Sequence, residues 1–483
     1  MIMSSIKKNL GLQTAYQILS ACMPLITAPY LARRLGAEQL GIFSFTTSVV
    51  MYFTLFAMLG TVNYGTRSVA AVKNDRNKRN EVFSSIFAFQ IIVSVIAIVA
   101  YIIYLAFFCR DNRFIALLQC IALVSCLVDI NWLFFGVEDF QITVTRSIII
   151  KIITVVLIIL LVKQKSDLWI YTLIMLGSTF ISNAILFFYL PRYASFAKVT
   201  MEQIKEHIKP NFVLFIPLLA MTVYHTMDKT MLGALSTYDQ SGYYYNADKI
   251  VQIPLLVING IGTVMLPRMT ALLAEGRHKD ADKLFVSTME GVAVVSIALA
   301  CGIAAVSKEF IPFFFGPGYE ACIALTIIFT PILLFKGFSV IVRTQYLIPM
   351  QMEKEFTKSV IGGAAVNFVL NFILIPVYGA MGATIATVIA EFVACVLQFV
   401  SISGRGMGLR ALIARTAVYL IMGFFMIGVV RLVSFMHTNI IIKLLIEISV
   451  GACFFGSVCL LYWKRTNNKF FDTLIKPIRN RLK

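Results

Sequence analysis

The sequence predicts an all-α integral membrane protein with about fourteen transmembrane helices, and three observations support this fold class. Of the 483 residues, 59% are hydrophobic and only 14% are charged, whereas a soluble domain carries roughly 25% charged residues because its surface faces water. Apolar segments long enough to cross a bilayer recur from end to end. Basic residues concentrate in alternate connecting segments. A chain this apolar cannot cover its own surface in water, so its solvent is lipid.

The predicted spans follow from length, because a hydrocarbon core of about 30 Å needs roughly 20 residues of helix. Helix is the expected spanning form, since lipid cannot satisfy open backbone groups and the apolar runs lack the alternation of a β-barrel. The predicted spans are 11–32, 41–62, 82–108, 114–136, 146–162, 168–190, 211–235, 243–267, 284–306, 321–348, 358–376, 380–402, 411–431 and 440–463.

The basic residues predict the orientation, because positively charged loops face the cytoplasm. With the N-terminus inside, the inner segments hold roughly three times as many Lys and Arg residues as the outer ones. We therefore expect a plasma (inner) membrane protein with both termini in the cytoplasm. This topology accounts for the net charge of +18, and no basic segment carries the interleaved aromatic residues of a nucleic-acid surface. Nucleic acid is not an expected partner.

Enzyme and metal signatures are weak. The nine cysteines are scattered through apolar runs without metal-type spacing. There is no P-loop and no zincin motif, and the glycine-rich segment 404–408 follows a membrane helix instead of a strand. We expect no catalytic residue, no metal and no cofactor, apart from a coupling ion, H⁺ or Na⁺.

An internal duplication is predicted from matching segments. Residues 38–43 resemble 239–244, and 60–62 resemble 262–264, at offsets of 201 and 202 residues. Because an even number of spans separates the copies, both enter the membrane from the same side, as in a parallel repeat. The predicted domains are an N-lobe at 1–200 (spans 1–6), a C-lobe at 201–403 (spans 7–12), and 404–483, which holds spans 13–14 and a basic cytoplasmic tail.

Ionisable residues inside or beside the spans are candidate functional groups, because a charge in hydrocarbon is costly unless it is paired or hydrated. The acidic candidates for ion coupling, or for a buried structural role, are Asp129, Asp228 and Glu391. The basic candidates are Arg33, Arg34, Lys229, Lys336 and Arg343. Other interpretations stay open. Arg33 and Arg34 suit interfacial anchors, Glu391 suits a hydrogen bond between helices, and Asp129 suits a structural role near the inner interface.

Prolines inside the spans are candidates for kinks and gating, because proline removes a backbone hydrogen bond from a helix. They lie in spans 1, 7, 8 and 10. These residues are Pro24, Pro29, Pro217, Pro254 and Pro331.

Several segments resemble the polysaccharide-transporter (Wzx-type) branch of the multidrug/oligosaccharidyl-lipid/polysaccharide exporter superfamily. The similarity extends over roughly residues 10–400. Its main segments are 29–36, 64–67, 228–233, 264–268 and 378–383. The resemblance implies a fold of two six-helix lobes plus two C-terminal helices, similar to multidrug exporters of the MATE type. It also implies a flippase that moves undecaprenyl-pyrophosphate-linked oligosaccharide repeat units across the plasma membrane by alternating access, for capsule, exopolysaccharide or O-antigen-like assembly.

Under this interpretation the basic candidates attract the anionic head group, and Asp129 or Asp228 binds the coupling cation. The expected partners are the lipid-linked oligosaccharide, membrane lipids, and the polysaccharide polymerase and glycosyltransferases of the same pathway. Two alternatives stay open. One is a cation-coupled multidrug or metabolite antiporter of the same superfamily, and the other is a membrane enzyme such as a polysaccharide polymerase.

Overall fold

The computed structural model describes residues 2–403, 409–436 and 438–466. Side chains are described within these ranges at Ser20 and from Met23 onward, except at 409 and 410. The glycine-rich turn at 404–408 and the predicted basic tail beyond 466 lie outside the described residues.

All regular structure in the described residues is helical, as predicted. The helices before residue 236 are α1 (Ile2–Met58), α2 (Thr61–Ala71), α3 (Arg76–Phe107), α4 (Arg113–Leu118), α5 (Cys120–Leu127), α6 (Asn131–Gly136), α7 (Phe140–Leu161), α8 (Leu168–Ala184), α9 (Leu186–Tyr193), α10 (Met201–Glu206) and α11 (Ile208–Leu235). The remaining helices are α12 (Tyr238–Ala274), α13 (His278–Phe315), α14 (Ala321–Phe329), α15 (Ile332–Val342), α16 (Glu353–Tyr378), α17 (Ala380–Ile402), α18 (Leu409–Val433) and α19 (Ile440–Arg465).

Thirteen helical segments of the described chain are long and apolar enough to cross a membrane. The first of them, Met23–Ala71, contains the second predicted span and the last ten residues of the first. It is interrupted at Gly36, where φ is 81° and ψ is 171°, a backbone conformation that favours glycine. The structure therefore agrees with a multi-pass membrane protein of about fourteen crossings.

Two prolines of the first predicted span do not end its helix. Pro24 and Pro29 both lie within α1, and the backbone leaves helical geometry seven residues after Pro29, at Gly36. Gly36 lies between the first two predicted spans, so the helix breaks where the sequence predicts a loop.

The other candidate prolines occupy two different settings. Pro217 and Pro254 lie inside α11 and α12. Pro331 caps α15 immediately after α14 ends at Phe329, so the tenth predicted span is divided there. A gating role for any of the five prolines stays a prediction.

The chain divides into two compact units, unit 1 (1–245) and unit 2 (246–483). The division reflects packing and falls within α12, whereas the predicted lobes were defined by sequence similarity. The lobe boundary after residue 200 stays a prediction.

Inside unit 1, the segments matched by the duplication meet each other. A Cβ atom on Gly41 would lie 1.8 Å from the carbonyl oxygen of Tyr238, and one on Gly242 would lie 1.9 Å from that of Ala37. Position 41 corresponds to 242, and 37 to 238, at the same offset of 201. Each copy thus contacts the other through equivalent residues, as expected at a local two-fold axis.

In unit 2, a buried acid connects the last two helices to α13. Glu290 is 2% exposed, and its Oε2 lies 2.8 Å from Arg415 Nη1 of α18. Tyr419 Oη donates to Glu290 Oε1 at 2.6 Å, and Trp463 Nε1 of α19 donates to that tyrosine at 2.8 Å. A buried carboxylate with these partners fixes α18 and α19 against α13.

Nearer the other end of α13, Glu309 repeats this arrangement. Its carboxylate lies 2.8 Å from Arg431 of α18 and 3.6 Å from Lys443 of α19. The two helices outside the predicted duplication are therefore attached to α13 at two levels.

The glycine contact in unit 1 is testable with alanine substitutions. Gly242→Ala places a methyl group against a backbone carbonyl, and overpacking of this kind costs about 1–3 kcal/mol. Gly177→Ala in α8 is the matched control, because no atom lies within 4 Å of its added Cβ and alanine favours helix. We expect a lower melting temperature in detergent for Gly242→Ala only. Equal melting temperatures for the two variants would show that the close contact does not constrain the fold.

Candidate functional site

Unit 1 contains a partly open cavity of about 1060 Å³ lined by α2, the turn between α5 and α6, α6, α7, α8 and Leu214 of α11. This cavity, which we call the central cavity of unit 1, is at the upper end of the size range of sites that hold small molecules and cofactors. Its lining is mixed: apolar side chains alternate with hydroxyl, amide and charged groups.

The polar lining arises from helical spacing in α7. Thr143, Ser147, Lys151 and Thr154 recur every three or four residues and so share one face of the helix. The opposite face of α7 carries exposed apolar residues, as a lipid-facing surface would. Thr154 Oγ1 donates to Ser178 Oγ of α8 at 2.7 Å, which joins the polar faces of the two helices.

Arg146 is the central hydrogen-bonding residue of this cavity. Its Nη2 donates to Asn131 Oδ1 at 3.1 Å, and its Nη1 donates to the carbonyl oxygen of Ser182. Asn131 Nδ2 in turn donates to Asp129 Oδ1 at 2.6 Å and to Asn183 Oδ1 at 3.1 Å. The guanidinium therefore connects α6, α7 and α8 through a shared polar network.

Gln90 of α3 stabilises the turn that carries Asp129 by hydrogen bonding to its backbone. The Gln90 side chain is fully buried, and its Nε2 donates to the carbonyl oxygens of Asp129 at 2.9 Å and Cys126 at 2.6 Å. Its Oε1 accepts from Trp132 Nε1 at 2.9 Å. These bonds satisfy carbonyls freed by the break between α5 and α6 and fix the position of Asp129.

Positive charge predominates in the cavity lining. Arg67, Arg146 and Lys151 are its basic residues and Asp129 is its acidic residue. Lys151 Nζ donates to Ser20 Oγ at 2.5 Å. Arginine and lysine donors in a partly apolar enclosure favour an anionic group, and the surrounding amides and hydroxyls can bind an uncharged polar group such as a sugar.

The sequence analysis identified Asp129 but missed the three basic residues, which it counted as charges of cytoplasmic segments. Arg146 was placed at the start of a span, whereas α7 begins at Phe140. At 1.5 Å per residue, Arg146 and Lys151 lie about 9 and 16 Å along the helix from its first residue, Phe140. The polar residues of α7 recur every three to four positions, and this pattern would have predicted a polar helix face next to Arg146 and including Lys151.

Arg33 and Arg34 lie just before the Gly36 break and are exposed. The Arg34 guanidinium lies 5.7 Å from the ring centroid of Tyr30, and Tyr30 Oη donates to the carbonyl oxygen of Val162 at 2.6 Å. Neither arginine lines the central cavity of unit 1.

Asp228 and Lys229, which are adjacent on α11, have different partners. The Asp228 carboxylate is 4% exposed and accepts from Tyr244 Oη at 2.7 Å. The Lys229 ammonium lies 5.8 Å from the ring centroid of Tyr245. The side chains of Asp228 and Lys229 point in different directions, as expected for adjacent residues of an α-helix.

In unit 2, Lys336 and Glu391 form an ion pair. Lys336 Nζ of α15 lies 3.0 Å from Glu391 Oε1 of α17, and their side chains are 19% and 5% exposed. The sequence analysis treated the two residues separately, because nothing in the sequence alone pairs α15 with α17. Arg343 begins a π-helical turn (Arg343–Leu347) and lies over the ring of Phe356 at 5.6 Å.

Within the part of the chain that the structure describes, no group of three His, Cys, Asp or Glu residues could hold a metal ion.

Comparison with known proteins yields one family and several relatives. A family profile described as "Polysaccharide biosynthesis protein" matches residues 6–273. A "Putative O-antigen transporter" from Escherichia coli is 24% identical over 391 residues, which cover 80% of this chain and 94% of that protein. The "Capsular polysaccharide biosynthesis protein CapF" from Staphylococcus aureus is 23% identical over 407 residues, covering 81% and 98%.

A solved structure shares the fold. "Lipid II flippase MurJ, inward closed conformation" superposes with a TM-score of 0.75 at 14% sequence identity, over 95% of this chain and 99% of that one. At this identity the likeness concerns the fold, and it agrees with the predicted all-helical exporter architecture.

The Lys336–Glu391 pair is testable by a double-mutant cycle. Removing one member of a buried ion pair leaves an uncompensated charge and costs about 3–5 kcal/mol. We expect Lys336→Met or Glu391→Gln alone to lower the melting temperature more than the double variant does. Additive losses would show that the two charges do not interact.

Proposed function

This chain belongs to the polysaccharide biosynthesis protein family, and on that premise we propose that it is a flippase for a lipid-linked glycan used in polysaccharide assembly. The observation that carries the proposal is the cationic, amide- and hydroxyl-lined central cavity of unit 1. The names of its relatives, an O-antigen transporter and a capsular polysaccharide protein, support the same class of substrate.

The finer proposal is an undecaprenyl-pyrophosphate-linked oligosaccharide. A pyrophosphate with attached sugars cannot cross hydrocarbon unaided, because its charges would lose their hydration. Arg146 and Lys151 offer charge-assisted hydrogen bonds to the phosphates. The amides of Asn131 and Asn183 and the hydroxyls of Ser178 and its neighbours suit sugar hydroxyl groups, while the isoprenoid tail stays in the bilayer.

The direction of transport follows from the predicted topology. Arg67 belongs to a predicted inner segment, so this end of the cavity faces the cytoplasm, where lipid-linked repeat units are made. Alternating access of the two predicted lobes then exposes the head group to the outer leaflet. We propose a plasma-membrane location with both termini cytoplasmic, in a pathway with a polymerase and glycosyltransferases.

For the coupling ion, H⁺ or Na⁺, Asp129 is the better placed of the two predicted acids. It lines the cavity and shares the Asn131–Arg146 network, so a change in its charge would alter the field at the substrate. Asp228 lies on α11 and accepts from Tyr244.

The residues that line the cavity also argue against the two alternative functions, a drug antiporter and a polysaccharide polymerase. An antiporter for drug cations needs an acidic or neutral cavity, whereas basic residues outnumber acidic ones here. A polymerase would need a nucleophile or general base at a sugar site, whereas Asp129, the acidic residue in the described lining, accepts hydrogen bonds from Asn131 and belongs to the Arg146 network.

The proposal predicts that Lys151→Ala abolishes most transport. The change removes one charge-assisted contact, worth about 1.5–3 kcal/mol, or roughly tenfold or more in binding. In a strain lacking the chromosomal copy, we expect the variant to leave surface polysaccharide low and lipid-linked repeat units accumulated on the inner leaflet. Lys151→Arg, which keeps the charge, should restore part of the function.

Lys78→Ala is the matched control, because Lys78 is exposed on α3 and does not line the cavity. Membrane levels of all variants are measured on the same samples. Full complementation by Lys151→Ala at wild-type abundance would refute the assignment of this cavity to the glycan head group.

A further inference from the structure

A second, smaller cavity adjoins the first on the predicted cytoplasmic side of unit 1. It has a volume of about 590 Å³ and lies between α2 and the start of α11. Arg67 and Leu214 line both cavities, so the two are neighbours with a shared wall. We call the smaller one the vestibule. The residues that matter for its chemistry are Tyr64, Arg67, Ser68, Lys209, Val213 and Leu214.

The vestibule carries positive charge that has no acidic partner among the described residues. Arg67 and Lys209 are both exposed, and neither forms an ion pair with any described residue. Nearby on the same side of unit 1, Lys73 is paired by contrast, with its Nζ 2.7 Å from Glu138 Oε2. Two unpaired cations from different helices, together with the Ser68 hydroxyl, form a site for an anion.

The other half of the vestibule is apolar and exposed. Val213 is 62% exposed, and Phe212 and Ile216 beside it on α11 are 51% and 50% exposed. An exposed apolar surface on a spanning helix suits contact with lipid chains. The vestibule therefore juxtaposes an anion site with an exposed apolar surface, which fits an amphiphile whose charged head is a phosphate.

A series of side-chain hydrogen bonds beside the vestibule fixes the position of α2 against the start of α11. Tyr64 Oη lies 2.9 Å from His207 Nδ1, and His207 Nε2 lies 2.8 Å from Ser85 Oγ of α3. At the start of α2, a Cβ on Gly60 would lie 2.9 Å from the carbonyl oxygen of Asn211. The close approach of the two helices is thus built into the fold, and the site is preformed.

We propose that the vestibule binds the phosphate group of a membrane lipid before that group reaches the central cavity, with Lys209 and Arg67 as its ligands. This inference rests on the proposed function for its transport step, since Arg67 then passes the phosphate from one cavity to the next. Lys209 lines only the vestibule, so its substitution reports on this site alone.

The test is a lipid titration of the purified full-length protein in detergent, followed by thermal shift. The probes are undecaprenyl pyrophosphate, phosphatidylglycerol, phosphatidylcholine and inorganic pyrophosphate. We expect Lys209→Ala to weaken binding of undecaprenyl pyrophosphate by about fivefold, from loss of one charge-assisted contact. Lys205→Ala is the matched control, since Lys205 on α10 is also exposed and lies four residues before Lys209 but does not line the vestibule.

The outcomes separate this inference from the proposed function. If Lys151→Ala weakens binding of undecaprenyl pyrophosphate and Lys209→Ala does not, the vestibule assignment is wrong and the flippase proposal stands. If the wild type binds phosphatidylglycerol in a Lys209-dependent way but not undecaprenyl pyrophosphate, the vestibule is a phospholipid site and the proposed substrate is wrong. Equal effects of Lys209→Ala and Lys205→Ala, or inorganic pyrophosphate binding as tightly as the lipids, would overturn the assignment to a lipid phosphate.

Discussion

The site depends on one physical constraint: a guanidinium inside a transmembrane helix must have polar partners in place of water. Arg146 satisfies this constraint through Asn131 and the carbonyl oxygen of Ser182. Those partners require a break between α5 and α6 that presents Asn131, and Gln90 to hold the broken turn. The cationic cavity exists because these backbone and side-chain adjustments make charge tolerable in hydrocarbon.

The two units treat buried charge differently, and this contrast bears on function. In unit 2, Lys336 lies against Glu391, Glu290 pairs with Arg415 of α18, and Glu309 pairs with basic residues of both α18 and α19. These acids neutralise neighbouring cations and fix helices. In the central cavity of unit 1, the basic residues outnumber the acidic one, so positive potential is left for a ligand. On the proposed function, the neutral pairs of unit 2 serve structure and the excess positive charge of the cavity serves binding.

Much of the fold could be predicted from the sequence, because the hydrocarbon core imposes a minimum helix length on every crossing. The apolar runs gave the spans, and the glycine-bearing segments around Gly41 and Gly242 predicted a duplication whose copies do meet in unit 1. The candidate site was harder. Asp129 stood out as an acid in a span, but Arg146 and Lys151 were counted as charges of a cytoplasmic segment, because the start of α7 was placed six residues too late, at Arg146 itself. Pairings such as Lys336 with Glu391 depend on which helices pack together, and that information is not local in sequence.

We propose that the positive charge in the central cavity of unit 1 binds the anionic head group of a glycan lipid during its passage across the membrane. The most direct measurement is protein-dependent translocation of an undecaprenyl-pyrophosphate-linked oligosaccharide in proteoliposomes, read by the access of an external glycosidase to the sugar. The account predicts translocation with the wild-type protein and its loss when the Arg146 and Lys151 charges are both removed by Arg146→Gln and Lys151→Gln. Undiminished translocation by a stably folded double variant would contradict it.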